Sequence, residues 1–150
     1  TRKTIPGHRA FDKYAVKCGG GSNHRFGLDD AILIKDNHIA VAGGIEKAVQ
    51  AVRARTSHLM KIEVEVSCME EVKQAIAAKA EVIMLDNMDT GAMAKAVAFI
   101  KGRAIVEASG NVSLFTLNTI AATGVVVISC GALTHQARSV DLSMRINPIQ

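Results

Sequence analysis

Met60-Lys61-Ile62-Glu63-Val64-Glu65-Val66 is an apolar run carrying two carboxylates, and similar runs recur downstream. They are Val82-Ile83-Met84-Leu85-Asp86, Ala104-Ile105-Val106-Glu107-Ala108-Ser109 and Val125-Val126-Val127-Ile128-Ser129. Their first positions, 60, 82, 104 and 125, advance by 22, 22 and 21 residues. That interval holds one strand, one helix and two tight loops. Outward from this block, residues 31–35 and 140–146 read as two further strands, making six. The segments between them carry helical patterning. Residues 45–55 place Ile45, Ala48, Val49 and Val52 on one stripe, and residues 68–79 do the same with Val72, Ala75 and Ile76. Residues 89–100 open on Asp89-Thr90, a capping pair, and residues 114–123 stop at Gly124. An opening helix over residues 9–18 runs into Gly19-Gly20-Gly21.

Strands and helices alternating at near-constant spacing imply right-handed crossovers and a parallel sheet. Such a sheet is either open and doubly wound or curled into a barrel. Lys35, Glu65, Asp86, Glu107 with Ser109, and Ser129 fall at or near the C-terminal ends of successive strands. A barrel gathers polar groups from many strands on one rim, whereas an open sheet concentrates them at its switch point. The expectation is an α/β domain with a parallel, TIM-like barrel.

At 150 residues, with 49% apolar and 21% charged, the chain has the make-up of one globular domain with a sizeable core. Aromatics are 3%, too few for the stacking platforms that single-stranded nucleic acid requires, and the net charge of +4 is scattered. No nucleic acid partner is expected, and no membrane, since no apolar run has spanning length. The positive balance suits anionic small molecules. Cys18, Cys68 and Cys130 are odd in number and outside any CxxC pair. That argues for a reducing, cytoplasmic compartment and against a zinc cluster or disulfide framework. The opening Thr1-Arg2-Lys3-Thr4 is a dense polar motif without an initiator Met, and reads as part of a longer chain.

Glu63 and Glu65 are two apart, so both project from one face of a strand. On an edge strand that face would be solvated. In a covered parallel sheet, the same pair needs cations, a metal or a polyhydroxylated ligand to offset desolvation. Asp86-Asn87 can be a turn pair or, at a barrel strand end, a ligand for magnesium or sugar hydroxyls. Ser109-Gly110-Asn111 and Gly131-Ala132-Leu133-Thr134 are small-residue turns after consecutive late strands, where backbone N–H groups bind phosphate. Arg2, Lys3, Arg9, Arg25 and Lys35 cluster early, with His8, His24 and His38. Arg suits bidentate carboxylate binding and Lys suits phosphate. Lys13, Lys17, Arg53 and Arg55 are assigned to a solvated basic face. No histidine pair has i, i+4 spacing, which argues against a histidine metal site. Cations for an anion, carboxylates for metal and hydroxyls, and a phosphate cup together fit a phosphorylated sugar ligand.

Eight motifs in order carry a resemblance: Thr1-Arg2-Lys3-Thr4-Ile5-Pro6-Gly7; Lys13-Tyr14-Ala15-Val16; Gly19-Gly20-Gly21-Ser22-Asn23-His24-Arg25; Leu33-Ile34-Lys35-Asp36-Asn37-His38; Glu63-Val64-Glu65-Val66; Leu85-Asp86-Asn87-Met88; Glu107-Ala108-Ser109-Gly110-Asn111; and Ile128-Ser129-Cys130-Gly131-Ala132-Leu133-Thr134-His135. Over nearly its whole length the chain resembles the quinolinate phosphoribosyltransferase family. The resemblance implies a type II phosphoribosyltransferase with an open barrel of seven strands, six of them visible here and the first ending just before Thr1. It implies an N-terminal α/β domain absent from this chain, and a homo-oligomer, at least a dimer, whose partner subunit donates an Arg to the quinolinate.

The implied reaction is phosphoribosyl transfer from phosphoribosyl pyrophosphate to quinolinate with decarboxylation, in NAD biosynthesis. By motif, Arg2, His24 and Arg25 would hold the quinolinate carboxylates, with Lys35 at the junction of both substrates and Lys3 toward the sugar donor. Glu65 and Asp86 would bind ribose hydroxyls and Mg²⁺. Ser109, Gly110, Asn111, Gly131 and Ala132, with His135, would cradle the 5′-phosphate. Lys3, Lys35, Glu65 and Asp86 are the expected catalytic set. His8, Val126 and Gln136 depart from the family pattern, away from these positions. Two alternatives are a molybdenum-transport-associated pyrophosphorylase relative with another acceptor, and a piece that is inactive by itself and serves in assembly.

Overall fold

A computed structural model describes residues 2–147; Thr1, first residue of the basic motif, lies outside the described residues. The elements are α1 (Arg9–Cys18), β1 (Ile32–Ile34), α2 (Asp36–Ala42), α3 (Ile45–Arg53), β2 (Ile62–Val66), α4 (Met69–Ala77), β3 (Val82–Asp86), α5 (Thr90–Ile100), β4 (Ile105–Ser109), α6 (Leu117–Ala121), β5 (Val127–Ile128) and α7 (Ala132–His135). The five strands form one parallel sheet in chain order, β1-β2-β3-β4-β5. A strand order that never reverses has no switch point, so every crossover steps the same way and stacks its helix on the same side. Neighbouring helices accordingly pack against one another from α2 through α6. This is the wall of a barrel.

Residue types explain which side the helices cover. Ile32, Ile34, Ile62, Val64, Val66, Ile83, Leu85, Val106 and Ala108 alternate along the strands and belong to the apolar core. The stripes of α3 (Ile45, Ala48, Val49), α4 (Val72, Ala75) and α5 (Met93, Ala96, Ile100) are buried against them. Burying one such aliphatic side chain fully is worth roughly 1.5–3 kcal/mol. Asp89 caps α5 as its sequence predicts, its side chain accepting from the Ala92 N–H at 2.8 Å.

Three features differ from the sequence reading. The expected sixth strand, residues 140–146, is absent among the described residues, and Val140, Leu142, Met144 and Ile146 stand exposed. Its alternating pattern is that of a strand, but a strand exists only against a partner, and β5 is itself a two-residue element. Among the described residues the strands therefore number five. Helix α6 begins at Leu117 rather than residue 114, because Ser113 and Thr116 bond each other's backbone first and leave Leu114 and Phe115 outside. The segment before α3 holds an additional helix, α2, stopped by Gly43 in the left-handed conformation (φ 78°).

Candidate active site

Alternate residues of the same strands face away from the helices. In register, Leu33 lies beside Glu63, Glu65 beside Met84, Met84 beside Glu107, Asp86 beside Ser109 and Glu107 beside Val127. This face lines an open cavity of about 840 Å³. All thirteen residues assigned to a ligand from sequence line it: Arg2, Lys3, His24, Arg25, Lys35, Glu65, Asp86, Ser109, Gly110, Asn111, Gly131, Ala132 and His135. They come from the N-terminal segment, the loop before β1 and the C-terminal ends of β1 to β5.

Local bonds hold each group in place. The strap bearing Arg2 and Lys3 is tied to α7 by the Thr134 hydroxyl, which donates to the Lys3 carbonyl at 2.8 Å. Asp12 accepts from the Ile5 N–H at 2.9 Å, and Arg9 reaches Thr4 and the Arg2 carbonyl at 3.4 Å each. The loop after Arg25 is capped by Asp30, which accepts from the Phe26 and Gly27 N–H groups; those bonds hold its carboxyl below the usual range. Lys35 Nζ lies 2.5 Å from Glu65 Oε2, a charge-assisted bond between adjacent strand ends.

The tips after β3 and β4 are locked together. Asn87 donates from its N–H to the Ser109 carbonyl at 3.0 Å and from its side chain to Asp86 Oδ2 at 2.8 Å, while the Asn111 side chain donates to Asn87 Oδ1 at 3.1 Å. Gly110 sits at φ 91°, and a Cβ there would meet Asn87 Oδ1 at 2.2 Å and its backbone N at 2.9 Å. Only glycine allows that approach.

Deeper in the cavity wall lies a cluster that sequence spacing could not reveal. His24 Nε2 is 3.0 Å from Glu63 Oε2 and 3.7 Å from Glu107 Oε1, and Ser129 Oγ donates to Glu107. Glu63 and Glu107 are 7% and 4% exposed. Burial and the neighbouring Glu63 charge push the Glu107 carboxyl up, against the Ser129 hydroxyl and His24. These three residues form a group that could hold a metal ion, with ligand atoms within 4.8 Å of one another. Arg25 N–H donates to His24 Nδ1 at 2.8 Å, so both ring nitrogens are engaged inside the protein.

Lys13 requires a correction. Assigned to a solvated face, it is 5% exposed and lines the cavity, and burial lowers its ammonium from the ordinary value. Its place in an amphipathic helix gave no sign of this, since the covering loop is brought in by Asn23, whose side chain donates to the Lys13 carbonyl at 2.8 Å. Arg53, by contrast, stands on the surface, bonded to Glu81 at 2.7 Å.

The family model described as quinolinate phosphoribosyl transferase, C-terminal domain, matches residues 1–145. The chain belongs to this family. Among its relatives, a probable nicotinate-nucleotide pyrophosphorylase [carboxylating] from Synechocystis is 52% identical over 149 residues, covering 97% of this chain and 50% of the relative. One of the same description from Bacillus subtilis is 47% identical over 146 residues, with 97% and 50% covered. The solved nicotinate-nucleotide pyrophosphorylase from Francisella tularensis superposes with a TM-score of 0.90 at 51% identity, over 95% of this chain and 51% of that one. The chain thus spans about half the length of the relatives it matches. Mandelate oxidase, at 20% identity and a TM-score of 0.52 over 60% of this chain, shares the fold alone. Family membership agrees with the α/β barrel architecture of a type II phosphoribosyltransferase. Among the described residues no helix is long and apolar enough to cross a membrane.

Proposed function

We propose that this chain is the catalytic barrel of an enzyme that transfers the phosphoribosyl group of phosphoribosyl pyrophosphate to quinolinate, giving nicotinate mononucleotide, pyrophosphate and CO₂. The observation that carries the reading is the convergence of separate cationic and acidic segments on one cavity, with Lys35 and Glu65 paired between them. The names of the relatives, carboxylating pyrophosphorylases, support the decarboxylating reaction over the molybdenum-associated alternative.

In this reading Arg2, His24 and Arg25 face the quinolinate carboxylates, with Lys35 at the junction of both substrates. Lys3 faces the pyrophosphate. Glu65 and Asp86 accept from ribose hydroxyls, and the glycine turns at Ser109-Gly110-Asn111 and Gly131-Ala132, with His135, take the 5′-phosphate. The C1–O bond breaks with its electron pair leaving on pyrophosphate, and the pyridine nitrogen forms the new bond to C1. The cationic ring then loses its 2-carboxylate as CO₂, and the electron pair left at C2 takes up a proton. Positioned charges supply the acceleration, with no covalent work by the protein.

The residues present fit a Mg²⁺ ion. Two strand-end carboxylates, Glu65 and Asp86, border the cavity, and Mg²⁺ commonly takes one or two carboxylates with substrate phosphates and water. Bound there, it would supply charge neutralisation for the leaving pyrophosphate. The reading also entails a homo-oligomer of at least two chains and a cytoplasmic site of action. Light scattering on the intact protein and cell fractionation read these.

Label in the 2-carboxylate of quinolinate should appear as CO₂ only when intact enzyme, phosphoribosyl pyrophosphate and Mg²⁺ are all present. Turnover of a different base with no CO₂ from quinolinate would overturn the acceptor. Residues 1–150 alone are expected to be inactive, because the cavity face of the sheet stands open; measurable turnover by that piece would refute this.

A further inference from the structure

Among the described residues, every buried hydrophobic side chain belongs to the apolar core except two. Leu33, 9% exposed, and Met84, 5% exposed, lie on the opposite face of the sheet and line the cavity. Charge surrounds them. In register, Met84 stands between Glu65 on β2 and Glu107 on β4, and Asp86 follows it on the same face, two residues along β3. Leu33 likewise precedes Lys35 by two residues. The neighbouring carboxylates can all bond water, whereas a thioether or an isobutyl group offers it almost nothing. Buried as they are, these two side chains make a dry patch at the bottom of a polar cavity.

We propose that Met84 is a specificity-determining residue, whose thioether forms a dry floor beneath C1 of the sugar and keeps water from competing with the pyridine nitrogen, Leu33 adding a second apolar group on the β1 side. The inference rests on the phosphoribosyl-transfer reading. Glu65 flanks Met84 across the sheet and Asp86 flanks it along the strand, so a ribose whose hydroxyls they hold spans the Met84 side chain. Once the C1–O bond breaks toward pyrophosphate, C1 accepts any nucleophile within reach. Attack by the ring nitrogen gives the nucleotide. Attack by water forms a C1–O bond, releases one proton to solvent and yields ribose 5-phosphate, and the donor is wasted. Charges that speed the departure of pyrophosphate serve both outcomes alike, and exclusion of water separates them.

The test is the balance of products from intact enzyme. Wild type should release pyrophosphate and CO₂ in equal amounts, and little pyrophosphate from phosphoribosyl pyrophosphate and Mg²⁺ without quinolinate. Met84→Gln, close in length but able to bond water, should raise the ratio of pyrophosphate to CO₂ at least about twofold and release ribose 5-phosphate without acceptor. Met84→Ala, which opens room for water, should do the same and serves if the glutamine variant fails to fold. Met84→Leu stays apolar and should keep the two products equal. A side chain that only fills space would, when replaced, lower stability or kcat and leave the products equal in every variant. That result would overturn the proposal, as would equal uncoupling by Met84→Leu and Met84→Gln. The acceptor-free arm needs no quinolinate. If CO₂ never appears because the acceptor is another base, the reading of function falls, while ribose 5-phosphate release by wild type and Met84→Gln still judges the floor.

Discussion

The two faces of the same sheet are built from neighbouring residues and do opposite work. Along β3, Ile83 and Leu85 are fully buried in the core, while Met84 and Asp86, one residue away, line the cavity. Along β2, Ile62, Val64 and Val66 belong to the core, while Glu65 lines the cavity and Glu63 lies buried against His24. A period of two residues separates stability from chemistry, so a one-residue slip in register would exchange them completely. The helix side gains from apolar burial; the cavity side carries charge that only ligands and ion pairs compensate. The difference teaches where to look for each kind of defect.

That contrast can be broken most forcefully from the helix side. Ile83→Ala is expected to lower stability by roughly 2–5 kcal/mol in denaturant titration, with kcat/KM of the folded fraction unchanged. A kinetic defect without a stability loss would contradict the division of faces. From the cavity side, Lys35→Ala should lower kcat/KM of the intact enzyme on the order of 10²-fold, since a preorganised charge is removed. Its side chain is 43% exposed, so the melting temperature should hardly move.

Gly110→Ala tests the seam between the faces. The added Cβ collides with Asn87, which ties the tips after β3 and β4, and a stability loss of about 1–3 kcal/mol is expected, together with weaker donor binding. The smallest effect lies outside both faces, at the Arg53–Glu81 pair. The bond from Arg53 holds the Glu81 carboxyl below its ordinary value, although burial opposes this. A depressed carboxyl contributes stability that is present above its unfolded value and lost as pH falls through the folded value. Arg53→Ala should therefore cost under about 1 kcal/mol near neutral pH and nothing measurable in strong acid, the pair being exposed. Chemical denaturation at the two pH values reads the difference.

The strands at the centre of the sheet were legible because alternation and spacing are local properties. Residues 82–86 form β3 with the bounds their pattern predicts, and the Asp89 cap and the α1 span follow from their residue types. Legibility failed at the margins. Residues 140–146 alternate as a strand should, yet without a neighbour they form none. Lys13 looks like any helix-surface lysine until Asn23 folds the loop after α1 over it.

By itself, the sequence determined the central strands and the helices packed on them, the faces those elements bury, and that cations and carboxylates sit at successive strand ends. Those are consequences of side-chain size, polarity and period, felt within a few residues. Only the tertiary structure decided that His24 Nε2 lies against Glu63, 39 positions away, with Glu107 close to the same atom. Contacts of that kind depend on how loops close and how strands register, and no local propensity encodes them.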